Sequence, residues 1–153
     1  MKTLVVLCLI TLCYASYNLL VKVSSHHIVS VTTPPILATI ALQAAALTVS
    51  IVYLLHLTRE GASVMLPGKA YLWAIGAGIC IGIAEVLYFT LFRGFEGERS
   101  INASTAIPFI VGGTIVVAVA VSHFVFREQL NAGQWAGIAL AFAGMIVLAL
   151  SSR

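Results

Sequence analysis

Residues 73–92 read WAIGAGICIGIAEVLYFTLF. A bilayer is crossed by roughly 20 predominantly apolar residues in a helix, at 1.5 Å of rise each, and this run is long enough. One residue in it does not belong in hydrocarbon, and that is Glu85. An ionised carboxylate there costs at least ~2.5–3.5 kcal/mol even on lenient insertion scales. Such a group faces a polar cavity, carries a proton, or pairs with something.

Working outward, the rest of the chain has the same character. The sequence has 153 residues, of which 61% are hydrophobic and 8% charged. Soluble domains carry about 25% charged residues, so a water-soluble globule is excluded. Five apolar runs of spanning length follow one another: Thr3–Val23, Pro34–Thr58, Tyr71–Phe92, Ile101–Phe126 and Ala132–Leu150. They are continuous rather than alternating, which predicts helices and not a closed barrel. The expected fold is an all-α integral membrane protein, a single domain over residues 1–153 with five transmembrane helices and no extramembrane domain. The first run resembles a signal peptide, but it continues through Tyr17–Val23, beyond a typical signal core, and is read as a span.

Function classes drop out quickly. No phosphate loop, dinucleotide motif or nucleophile motif is present, and no Ser/His or Asp/Asp arrangement suggests a hydrolase. The chain is read as a non-enzyme that uses no cofactor. Cys8, Cys13 and Cys80 lie inside spans without metal-ligand spacing and are expected to act as small buried hydrophobes. His26-His27 in the first loop is a weak metal signal, and no metal is expected. The net charge of +3 is spread over loops, which gives no nucleic-acid surface. His123, near the end of the fourth span, reads as an interfacial imidazole.

The loop charges carry no orientation signal. With five spans, one side holds Lys2, Arg59, Lys69 and Arg127, and the other holds Lys22, Arg93, Arg99 and Arg153. Basic residues normally concentrate on the cytoplasmic side. A balanced tally fits an orientation set by a partner or by one dominant helix, or, the reading favoured, dual topology, in which copies insert both ways and pair antiparallel, the arrangement that inverted-repeat transporters build within one chain.

Helical spacing sorts the polar side chains into faces. Thr11, Tyr14 and Asn18 share one in the first span, with Lys22 a turn further on. Thr39, Gln43 and Ser50 share one in the second. Gly78, Gly82, Glu85 and Phe89 share one in the third, with Tyr88 beside it. Glu85 lies about four residues past the middle of its span, roughly 6 Å toward the side that holds Lys22. Asn18, Gln43, Thr105 and Pro108 also fall in that half. One shared site is therefore expected, with Glu85, Asn18, Tyr14, Gln43, Tyr88, Thr105 and Pro108 binding substrate or proton. Pro108 bends a helix and frees a carbonyl, as a cavity wall does. Gly78 and Gly82, and Gly133, Gly137 and Gly144, are expected to serve helix packing or dimerisation. Lys22 and Arg93 are expected to snorkel to the membrane surface, and Tyr71, Trp73 and Trp135 to anchor at the interfaces.

Three stretches carry a family resemblance. FREQLNAGQWAGIALAFAGMIVLAL (Phe126–Leu150) resembles the end of an EamA-type repeat of the drug/metabolite transporter superfamily, with Glu128, Gln134-Trp135, Gly137 and Gly144 at its marks. ASTAIPF (Ala103–Phe109) resembles the small-residue entry to that repeat's fourth helix. CYASYNLLVKVSS (Cys13–Ser25) resembles its first-helix pattern ending in lysine. A second proline common in the fourth helix of relatives is replaced by Gly112-Gly113-Thr114. Members typically carry two five-helix repeats, and this chain resembles one. The resemblance implies one half of an inverted-repeat fold around a central cavity, completed by a homodimer. Small multidrug-resistance transporters of the same superfamily also pair short chains antiparallel around an intramembrane glutamate, although theirs lies in the first helix.

The functional expectation is a secondary transporter or exporter of small metabolites or toxic compounds, embedded in the inner or plasma membrane and in contact with its lipid. Glu85 would take either a proton or a cationic substrate, which gives exchange. Asn18, Gln43, Tyr88 and Thr105 would orient the substrate, and Tyr14 would offer an aromatic face. The alternatives are a non-transporting subunit that packs with a different partner, and an uncoupled facilitator or lipid-carrier flippase.

Overall fold

The computed structural model describes residues 2–28, 35–95 and 100–151. They form five helices: α1 (Lys2–His26), α2 (Ile36–Arg59), α3 (Gly68–Arg93), α4 (Ala103–Phe124) and α5 (Ala132–Ser151). α1 to α4 are each long and apolar enough to cross a membrane, which is compatible with a multi-pass membrane protein. α5 is the shortest, with 20 residues. Pro34, where the second span was expected to begin, and Arg99 and Arg153 of the charge tally lie outside the described residues.

The helices stop where backbone chemistry stops them. Pro67 precedes α3 and has no N–H to lose, while Gly94 follows it with φ at 95°. Gly61, φ 81°, closes the turn after α2. α4 ends at Phe124, two residues short of the expected Phe126. The chain folds back there: the Glu128 amide donates to Ser122 O at 3.1 Å. Arg127, φ 55°, takes the left-handed conformation that this reversal needs.

The described residues form two compact units, one built by α1–α3 and one by α4 and α5. In the first, α3 packs against both α1 and α2. Its buried apolar side chains are Val21, Tyr88, Phe89 and Phe92. They repeat at helical spacing, with Tyr17, Val21 and Ser25 on one stripe of α1 and Glu85, Tyr88/Phe89 and Phe92 on one stripe of α3. Most other large apolar side chains of these helices stand exposed, Trp73 by as much as 79%. Contiguous apolar surface on this scale marks a membrane or partner interface. The cysteines follow the same rule. Cys8, Cys13 and Cys80 were expected to be buried and are exposed. In so thin a bundle most of each helix surface faces outward.

The second unit is a helical hairpin with an ordered turn. Asn131 and Gln134 cap α5 reciprocally: the Asn131 amide donates to Gln134 Oε1, and the Gln134 amide to Asn131 Oδ1, each at 2.8 Å. Ser122 Oγ donates to Glu128 Oε2, and His123 Nδ1 lies 3.1 Å from Glu128 O. The His123 ring meets Trp135 edge-on at 5.8 Å. Glu128, Gln134 and Trp135 thus have local structural work in the turn. Pro108 sits inside α4 without ending it.

The close helix approach in this unit is at Gly112. A Cβ there would overlap Met145 Sδ of α5 and lie 2.6 Å from its Cγ. At Gly78, Gly137 and Gly144 a Cβ would meet nothing within 4 Å, so among the described residues of their own units these glycines do not mark helix contacts.

Candidate functional site

The buried face of α3 meets the inner stripe of α1 in a short ladder of polar and aromatic pairs. Glu85 and Tyr88 are one helical turn apart, at i and i+3, and so lie side by side toward α1. Tyr17 and Asn18 are consecutive on α1 and reach these two residues separately. Tyr17 Oη donates to Glu85 Oε1. Tyr88 Oη donates to Asn18 Oδ1 at 2.8 Å. One turn further on, Lys22 Nζ lies 4.9 Å from the centre of the Phe92 ring, a cation–π contact. Lys22 therefore has its ammonium over an aromatic face near the ends of both helices.

These pairs advance together along both helices, so α1 and α3 run parallel. The first and third of a series of membrane spans have that relation. α2 joins from the other flank of α3, where a Cβ at Gly82 would stand 3.3 Å from Gln43 Nε2. Gly82 is one turn before Glu85. The absence of a side chain there lets the Gln43 amide lie against the α3 backbone close to the carboxylate's level.

Glu85 is 5% exposed. Its Oε1 accepts from Tyr17, and among the described residues its Oε2 is buried with no hydrogen-bond partner. A buried acceptor left open costs free energy, more so for a charged group. A hydrogen-bond donor supplied at this oxygen would relieve that cost. Rings surround the polar pairs: Tyr17 lies 6.4 Å from both Tyr14 and Tyr88, and Tyr88 lies 4.6 Å from Phe92.

Of the expected site residues, Glu85, Asn18 and Tyr88 come together, and Gln43 stands beside the same stretch of α3. Tyr14 is 65% exposed and touches the cluster only through the edge of Tyr17. Thr39 is buried, with its hydroxyl turned back to Pro35 O at 3.2 Å. Thr105 and Pro108 are half-buried on α4, in the other unit, and the site is described from α1–α3 alone. Tyr17 is the residue that sequence reasoning missed. It precedes Asn18 and lies four residues before the buried Val21, so it was within reach of the same spacing rule, but the apolar Val21 next on its stripe hid it. Among the described residues no group of three or more His, Cys, Asp or Glu side chains comes together that could hold a metal ion.

No family model matches the chain, and no solved structure matches it. A stretch of 75 residues is 34% identical to the uncharacterized protein y4nH of Sinorhizobium fredii (strain NBRC 101917 / NGR234). The match takes in 49% of this chain and 59% of that protein, so the chain spans under two thirds of its relative's length.

Proposed function

We propose that the chain is a proton-coupled secondary transporter or exporter of small metabolites or toxic compounds, with Glu85 as the exchanging group. The carrying observation is the Glu85 carboxylate, nine-tenths buried in an apolar helix, with one oxygen held by Tyr17 and the other without a hydrogen-bond partner among the described residues. Ionisable groups at membrane depth are functional by default because their cost selects against idle ones. The Tyr17 hydroxyl serves either charge state of the carboxyl, since it can donate to the carboxylate and stay in place when the second oxygen takes a proton. Asn18 and Tyr88, tied to one another, position Tyr17 and Glu85 from both helices and stand ready to exchange their mutual bond for one to a substrate.

In this reading α5 is a fifth span and the chain is a single EamA-like repeat of the inner or plasma membrane. Two copies pair antiparallel as an inverted-repeat homodimer, and the balanced loop charges allow both orientations. The open glycines Gly78, Gly137 and Gly144 then serve contacts outside the chain, where small residues let helices approach.

The deciding experiment is Glu85→Gln in proteoliposomes, with substrates screened over amines, amino acids, sugars and dyes under an imposed proton gradient. The expected result is loss of gradient-driven uptake with an unchanged helical spectrum and unchanged dimer fraction. Full coupled uptake by the variant would end the proton role. Reporter fusions at the C-terminus are expected on both sides of the membrane, and a single side would refute dual topology.

A further inference from the structure

Two polar groups of the first unit lack partners, and they lie about one helical turn apart along α3. Glu85 Oε2 is buried and, among the described residues, has no hydrogen-bond partner. The Gln43 side chain makes no hydrogen bond among the described residues either, although it stands exposed on α2, where a bilayer offers its amide nothing to bond. Its Nε2 lies 3.3 Å from the place a Cβ would take at Gly82. Gly82 precedes Glu85 by three residues, a rise of about 4.5 Å. Glutamine has a long rotatable side chain, and a change of rotamer carries its amide over a comparable distance.

The rotation of α3 gives the direction of that movement. At about 100° per residue, Glu85 stands roughly 60° from Gly82 and roughly 60° from Tyr88 around the helix, between the two. Gly82 faces α2 through Gln43, and Tyr88 faces α1 through Asn18. Phe89, in the same sector, lines the groove that separates α1 from α2. Glu85 therefore stands on the face of α3 that the two helices share. With Tyr17 of α1 on Oε1, α2 is the other helix packed on α3 that can serve Oε2.

We infer that Gln43 is a proton-controlled positioning residue for Glu85: its amide N–H donates to Oε2 while the carboxylate is charged, and returns to Gly82 when that oxygen takes a proton. The inference deepens the reading of Glu85 as the exchanging group and rests on it. The chemistry of the two groups sets the switch. A carboxylate oxygen only accepts, and the bond an amide N–H makes to it is charge-assisted. The protonated oxygen carries an O–H and no charge, and holds the amide less strongly. Gly82 gives the released amide a place, since a side chain there would crowd it. Within the first unit the titratable groups beside the carboxyl are Tyr17 of α1, with Tyr14 at its edge, and Tyr88 of α3. Lys22 of α1 lies a turn beyond at Phe92, and residues 39–46 of α2 carry no titratable group. α2 is thus tied to α3 in the charged state and freed in the protonated one. The proton then controls the helix that forms one wall of the groove.

The test is rotational-echo double-resonance NMR on the full chain in liposomes, with isotopically labelled glutamine side-chain nitrogen and glutamate carboxyl carbon, at alkaline and acid pH. The carboxyl signal that disappears in Glu85→Gln identifies Glu85. Its dephasing by glutamine nitrogen is expected at alkaline pH and is expected to vanish in Gln43→Leu. Once the carboxyl signal has moved to its acid position, the dephasing is expected to fall at least threefold. Gln43→Met, which keeps a flexible side chain and lacks the N–H, replaces Gln43→Leu if circular dichroism shows that variant to be misfolded. No dephasing at alkaline pH, equal dephasing at both, or a Glu85 carboxyl that does not titrate would overturn the inference. Proton flux into the same liposomes is expected to slow at least tenfold in Gln43→Leu, and wild-type flux in the folded variant would also overturn it. Failure of the transport reading shows separately. Dephasing that follows pH without any Glu85-dependent flux supports the Gln43 contact and refutes transport. Glu85-dependent flux without the dephasing overturns the role of Gln43 alone.

Discussion

The Tyr17–Glu85 bond can be weighed by a double-mutant cycle. Tyr17→Phe removes the hydroxyl and keeps the ring, so the edge contact with Tyr14 and the packing near Tyr88 persist. Glu85→Leu removes the acceptor and leaves a side chain of similar bulk. Interhelical hydrogen bonds in membrane proteins average ~0.6 kcal/mol, with a maximum near ~1.7 kcal/mol, because the unfolded chain finds other partners in the bilayer. A hydrogen bond to a charged group is worth ~1.5–3 kcal/mol. Glu85 is nine-tenths buried and, among the described residues, Tyr17 is its hydrogen-bond donor. The coupling energy is therefore expected at ~1 kcal/mol or more, measured by unfolding the four variants in mixed micelles with a denaturing detergent. A value near ~1 kcal/mol fits a neutral acid, and one above ~2 kcal/mol a carboxylate. Independent sites add to within ~0.3–0.5 kcal/mol, so a coupling below that level would refute the contact.

Other outcomes follow from single contacts. Tyr88→Phe is expected to cost ~0.6–1.7 kcal/mol by breaking the bond to Asn18, and Asn18→Ala combined with it should add little, as detergent unfolding can show. Gly112→Ala is expected to destabilise by ~1–3 kcal/mol because its Cβ overlaps Met145, and Met145→Ala should recover much of that loss. Gly137→Ala meets open space and should stabilise the isolated chain by ~0.5–1 kcal/mol, as detergent unfolding can show, and under the proposed homodimer it should lower the cross-linked fraction. Asn131→Ala removes the cap of α5 and should cost ~0.5–2 kcal/mol, with faster hydrogen exchange confined to the first turn of that helix.

Much of this protein was legible in its residues because a bilayer imposes so few solutions. Continuous apolar runs of spanning length are satisfied in hydrocarbon as helices, and the five runs marked in the sequence each became one. Glu85 stood out for the same reason, as the charge that hydrocarbon penalises. Helical spacing also put Asn18 and Tyr88 on faces that could meet it. Spacing could not say which rotation each helix takes about its axis. Tyr14 and Tyr17 differ by three positions, about 300° of turn, and in α1 both stripes are mixed. Hydropathy does not separate them when lipid and core are equally apolar.

The sequence by itself therefore determined the helices, their order, and how far along its apolar helix the ionisable Glu85 lies. Only the tertiary structure decided who holds that group. Tyr17 takes one oxygen of Glu85, Tyr88 turns to Asn18, and Gly82 makes room for Gln43. Hydrocarbon fixes what must be inside a helix and how long the helix must be. Partner choice depends on which faces α3 presents to α1 and α2, and that is settled by packing between chain segments about 70 residues apart in sequence, which no local pattern encodes.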